Sequence, residues 1–107
     1  AILTGNTLFT SGQIAINPET NTLVLDDIKT ETKQVMQNLK AVLEAASMTF
    51  EHVIKSSIFI SNMDDFGLIN EVYGSYFDDA NAPARETVQV ARLPKNVNVE
   101  ISVIAIK

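Results

Sequence analysis

The chain has no cysteine, no tryptophan, one histidine (His52), two arginines (Arg85 and Arg92), three prolines and four glycines in 107 residues. Each shortage removes a class of explanation. Without cysteine there is no disulfide staple and no thiol nucleophile, and a reducing compartment suits the chain. One imidazole and no thiol leave a zinc site without its usual ligands. No apolar run approaches the ~20 residues that a membrane helix needs, and no charged-then-apolar leader opens the sequence. Basic charge is scarce too: 8 Lys and Arg against 13 Asp and Glu give a formal net charge of −5. A nucleic-acid binder needs a basic stripe to neutralise phosphates, so that partner is disfavoured. A local anion site stays open, and Arg85 and Arg92 are its leading candidates.

What remains is an ordinary globular composition, 46% hydrophobic and 20% charged. At this length it supports a single domain, residues 1–107, around one core. Gly5-Asn6 suits a two-residue hairpin turn, because both residues tolerate positive φ. Ala1–Leu3 then reads as the tail of a strand, and the natural chain is expected to extend further at its N-terminus. Residues 8–14 alternate as a strand interrupted by Gly12, NPETN (17–21) is a turn, and LVL (23–25) a short strand. From Asp27 the period changes: Ile28, Val35, Met36, Leu39, Val42, Leu43 and Ala46 form a helical stripe behind an acidic start that includes Glu31.

Residues 52–61 return to period two. Residues 64–77 put Phe66, Ile69, Tyr73, Tyr76 and Phe77 on one helical face, with Asn62 or Asp64 as candidate N-cap. Residues 86–93 and 98–106 read as strands joined by a turn at Pro94, Lys95 and Asn96. The order ββαβαββ predicts an α+β fold, one sheet covered on one face by two helices. Two helices leave the other face bare, yet Ile104 and Ile106 lie there beside Asn98, Glu100 and Ser102. Subunit association is the economical cover, a larger monomer core the alternative.

Arg85 stands at a loop-to-strand junction after Pro83, where its side chain can reach a cleft. In an unbroken strand it shares a side with Thr87 and Gln89, and Arg92 points the other way, so the two arginines do not form one clamp. Glu100 is a carboxylate inside a strand and needs a partner if that face is covered. The short connection suggests that 85–91 and 98–104 pair antiparallel, bringing Arg85 near Glu100. That pair is either an ion pair locking two strands or an anion-binding arginine beside a proton-handling carboxylate. His52 reads as a surface residue at a strand end.

PARETVQVARLPKNVNVEISVIAI resembles the C-terminal signature of the RidA (YjgF) family of enamine/imine deaminases. LFTSGQIAINPET, QVMQNLKAVLEAA and VIKSSIFISNMDDFGLINEVYGSYF resemble its upstream strands and helices, so the likeness spans the chain. The resemblance implies a chorismate-mutase-like fold and a homotrimer with clefts between neighbouring subunits. It implies hydrolysis of 2-imino or 2-enamino acids, such as 2-iminobutanoate and iminopyruvate, to 2-oxo acids and ammonia, with no metal or organic cofactor. Arg85 would grip the substrate carboxylate and Glu100 would handle water and protons. Ser11, Gly12, Thr87 and Asn70 would line the cleft. Thr87 departs from the cysteine or serine common there. The family's Gly-Pro-Tyr segment would precede Ala1, and the loop DDANAPAR is shorter than in some members. A non-catalytic small-carboxylate-binding regulator is the alternative function, and a ribonuclease or translation inhibitor a third. The expected location is the cytoplasm, with mitochondria the alternative.

Overall fold

The computed structural model describes residues 1–107. Its elements are β1 (Ile2–Thr4), β2 (Thr7–Phe9), β3 (Ile16–Asn17), β4 (Thr22–Leu23), α1 (Ile28–Ala45), β5 (Val53–Ile60), α2 (Phe66–Gly74), β6 (Ala84–Gln89) and β7 (Val99–Ile106). Five strands form one mixed sheet in the order β1-β2-β7-β5-β6, while β3 and β4 make a separate ribbon. The expected α+β chain order holds, with that ribbon added.

Local chemistry places most boundaries. Thr4 pairs with Thr7 across a two-residue turn. Only Gly5 takes a positive φ there (59°), so the glycine alone supplies the unusual backbone. The Asp27 side chain accepts a hydrogen bond from the Thr30 N–H and caps α1. At the other end Ser47 (φ 58°) donates to the Glu44 carbonyl and Met48 to that of Leu43, which stops the helix. Asn62 caps the short turn Met63–Asp65 that leads into α2. The single expected helix over 64–77 is therefore a tight turn followed by the nine residues of α2.

Val35, Met36, Leu39 and Leu43 of α1 and Ile69 and Tyr73 of α2 pack on Ile58, Ile60, Val99, Ile101, Val103 and Ala105 of the sheet. Each large apolar side chain buried in this layer contributes about 1.5–3 kcal/mol. On β7, buried residues alternate with the half-exposed Glu100, Ser102 and Ile104, which face away from the helices. Phe9 (44% exposed) and Ile106 (41%) lie on this open face. Register places Ile2, Phe9 and Ile104 in one row across it.

The expected pairing of 85–91 with 98–104 is overturned. β5 lies between them, parallel to β6 on one side and antiparallel to β7 on the other. The reason is the connection through α2, which carries the chain from the end of β5 back to start β6 beside it, as a crossover requires. The alternating buried face of β7 then suits the other edge of β5, where it is flanked on both sides. β6 also stops at Gln89, so Arg92 lies in the following loop and donates to the Asn96 side chain (2.7 Å).

Residues 8–14 are not one continuous strand. Phe9 pairs with Ile104, and the next bridge is Gln13 to Ile101. Four steps along the chain thus oppose three on β7, a bulge centred on Ser11 and Gly12.

Candidate active site

Arg85 follows Pro83 at the start of β6 and faces the helix side of the sheet, opposite Ser56. There it meets α2. Phe66, Asn70 and Tyr73 recur at four- and three-residue spacing, which puts them on one helical face. The Arg85 guanidinium donates to the Asn70 side-chain oxygen. Its carbon stands 5.6 Å from the Phe66 ring centre and 5.3 Å from that of Tyr73. Contacts of this kind hold a cation against an aromatic surface while leaving its other N–H groups free. Tyr73 is anchored in turn, its hydroxyl donating to Ser56 Oγ at 2.8 Å in the interior. Burial pushes the Tyr73 phenol above its ordinary pKa, and the Ser56 hydrogen bond and the Arg85 charge offset only part of that rise.

A pocket of about 230 Å³ opens beside the guanidinium. Asn70, Tyr73, Phe77, Asp79, Pro83 and Arg85 are among its lining residues. Arg85 is exposed in the single chain, so it can meet a small anion without first breaking an ion pair. The expected Arg85–Glu100 pair is absent: the ion pairs are Lys29–Glu71 and Lys55–Glu86. Thr87 follows Arg85 on the same side of β6, opposite Ile58.

The other candidate residues gather elsewhere. Glu100 is opposite Phe59 on the open face. Gly12 lies against it: a Cβ built there would stand 2.7 Å from Glu100 Cδ and 2.8 Å from its Oε1. Only glycine lets the bulge approach the carboxylate this closely. Ser11 is beside it, its carbonyl accepting from the Gln13 side chain (3.3 Å). The structure therefore sorts the candidates into two groups, Arg85, Asn70 and Thr87 on the helix side and Glu100, Gly12 and Ser11 around the bulge. Along β5, Arg85 and Glu100 are three residues apart and on opposite flanks, which separates their Cα atoms by roughly 14 Å. The sheet itself stands between their side chains.

Tyr73 was not expected under Arg85, and Phe66 reads from the sequence chiefly as helix packing that could border the pocket, although the spacing of both with Asn70 was visible. His52 is a cap rather than a free surface group, with its Nδ1 accepting from the Thr49 N–H at 2.9 Å. No group of three His, Cys, Asp or Glu side chains is close enough to hold a metal ion. No helix is long and apolar enough to cross a membrane.

A family model described as endoribonuclease L-PSP matches residues 1–107. A solved structure from Yersinia pestis, YyfA of the Rid protein family, is 44% identical, covers 98% of this chain and 83% of its own, and superposes with a TM-score of 0.94. The chain belongs to the Rid/YjgF family. The RutC family protein PH0854 of Pyrococcus horikoshii is 50% identical over 107 residues, 100% of this chain and 84% of its own. The 2-iminobutanoate/2-iminopropanoate deaminase of Escherichia coli is 41% identical over 105 residues, 96% of this chain and 81% of its own. Escherichia coli TdcF, solved with bound serine, is 39% identical, with a TM-score of 0.92 over 99% of this chain and 84% of its own. Of these Rid/YjgF relatives only the Escherichia coli deaminase is named for a reaction, so family membership alone does not assign one.

Proposed function

We propose that this chain hydrolyses small 2-imino and 2-enamino acids, such as 2-iminobutanoate and iminopyruvate, to 2-oxo acids and ammonia. The observation that carries the reading is the Arg85 guanidinium, tethered by Asn70 over two aromatic rings at the mouth of a small pocket. A planar carboxylate is the ligand that a held guanidinium fits best, through two parallel charge-assisted hydrogen bonds. The deaminase relative supports the substrate class, and the serine bound by TdcF is likewise a small acid with a carboxylate on its α-carbon.

In this mechanism Arg85 holds the carboxylate while water attacks the imine carbon. A C–O bond forms as the C=N π pair moves to nitrogen. Glu100 takes a proton from the water and returns it to the nitrogen. The remaining hydroxyl proton then passes through Glu100 to the same nitrogen as the C–O bond becomes C=O, so that the C–N bond breaks, ammonia leaves and the 2-oxo acid remains. Such imines hydrolyse unaided, so positioning and electrostatics suffice without a covalent intermediate.

Arg85 and Glu100 face opposite sides of one sheet, so both reach one substrate only if they come from different copies. This favours an assembly of copies, which the proposal takes as the homotrimer, with sites shared between adjoining protomers and the exposed row of Ile2, Phe9 and Ile104 covered by a neighbour. Action in the cytoplasm is part of the same reading. The test couples the protein to a pyridoxal-phosphate dehydratase and follows release of 2-oxo acid, with Arg85→Ala as control. No acceleration by the wild-type protein ends the proposal.

The same separation supports a second reading. A lone chain has the anion grip without the proton-handling carboxylate, as a non-catalytic small-carboxylate-binding regulator would. Saturable binding of 2-oxobutanoate with no imine hydrolysis selects it. Ribonuclease chemistry is poorly served by a chain of net charge −5 whose one imidazole is engaged in a cap.

A further inference from the structure

Glu31 is a fully buried carboxylate that the proposed chemistry does not use. It lies in the first turn of α1, where an acidic side chain is expected to face solvent near the helix end. Instead it turns inward to the start of β7. Its Oε2 accepts from the Asn98 backbone N–H and its Oε1 from Asn98 Nδ2, both at 2.8 Å. Asn98 is held on its remaining sides by Ser61, whose N–H donates to the Asn98 carbonyl (3.1 Å) and whose Oγ donates to Oδ1 (3.3 Å). Every polar group of Asn98 is thus engaged, and α1, the end of β5 and the start of β7 meet at one residue.

Glu100 follows two residues later. Its side chain is pressed against Gly12, where a methyl group would displace it. The carboxylate therefore lies between a clamp at Asn98 and a backbone wall at the bulge, and a shift of β7 at either end moves it. Burying a carboxyl group is costly unless it is hydrogen-bonded, and the two hydrogen bonds to one strand end offset that cost.

We propose that Glu31, acting through Asn98, is a positioning residue that sets the height of Glu100 along β7. The inference rests on the reading of Glu100 as the group that handles water and protons. Arg85 is on β6 and held against α2, outside this network, so substrate grip is independent of the clamp. Loss of the clamp then lowers kcat and leaves KM in place.

The experiment compares Glu31→Gln, which keeps the shape and one acceptor, with Glu31→Ala, in the coupled imine assay alongside thermal melts. Glu31→Gln is expected to lower kcat about tenfold with unchanged KM, the scale set by sub-ångström misplacement of a catalytic group. Glu31→Ala is expected to lower it further if it folds. In parallel, the Glu100 carboxyl carbon is followed by NMR in wild type and Glu31→Gln, where its resonance is expected to move. An unmoved resonance, or wild-type kcat in folded Glu31→Gln, overturns the proposal. If the wild-type protein hydrolyses no imine, the functional reading fails by itself, and the Glu100 resonance still decides whether Glu31 positions it.

Discussion

Gly12→Ala separates the chemistry of the site from the stability of the fold. The new Cβ would stand 2.7 Å from Glu100 Cδ, 2.8 Å from Oε1 and 2.9 Å from Cγ. Restoring an ordinary contact of at least 3.4 Å requires the carboxylate to retreat by about 0.7 Å, and no other heavy atom is nearer than these three. The group that yields is the far end of a flexible side chain on the open face, so the fold loses little. Gly12 does not occupy the left-handed region. Alanine is therefore unstrained there, and reduced freedom of the unfolded chain returns about 0.4–1 kcal/mol. The melting temperature should stay close to that of the wild type. Catalysis has no such tolerance, because displacement of a reacting group by about 1 Å costs on the order of 100-fold. The expected outcome is a 30- to 100-fold fall in kcat, about 2–3 kcal/mol of barrier, with KM nearly unchanged because Arg85 is untouched. The coupled dehydratase assay reads the rate and a thermal melt reads the fold. Wild-type kcat in folded Gly12→Ala would refute the role of Glu100 at the bulge. A collapse of stability would instead refute the placement of Gly12 against a movable side chain.

Arg85→Ala should abolish the accelerated release of 2-oxo acid while the assembly persists in light scattering, and Arg85→Lys should recover little because an ammonium has no planar fork. Tyr73→Phe leaves the buried Ser56 hydroxyl without its partner and should cost about 1–3 kcal/mol in denaturant unfolding. The Tyr73 phenol is raised by burial, so its contribution is fully present below the ordinary phenol pKa of about 10 and is lost as pH rises through the folded value. Tyr73→Phe should accordingly flatten the alkaline limb of the stability profile. Phe9→Asp places an unpaired charge in the apolar row with Ile2 and Ile104, and should release monomers if that face is shared between copies. An undiminished mass in light scattering would remove the open face from the interface.

Much of the local structure was legible in the chain. The helical stripe from Ile28 to Ala46, the β-branched run before Ser61 and the turn at Pro94–Asn96 are signals carried by neighbouring residues, and each became the expected element. The interruption at Gly12 was legible as well, but not its purpose, which depends on a carboxylate 88 residues away in sequence. Glu31 misled, since an acidic residue in a first turn reads as complement to the helix dipole until Asn98 is seen to claim it. Phe66 and Tyr73 read as packing, and they do pack, but they also support Arg85.

Composition and periodicity by themselves pointed to an α+β fold with little basic charge, no thiol chemistry and an apolar last strand on both faces. They also settled that Arg85 shares its side with Thr87, because alternation within a strand is a property of the backbone. Only the tertiary structure decided that β5 separates β6 from β7, and that Arg85 and Glu100 therefore look out from opposite faces. Strand order and register depend on which distant surfaces bury each other, and a local pattern carries no record of that choice. The crossover through α2 set one side of β5, the apolar face of β7 took the other, and the two charged groups were parted as a result.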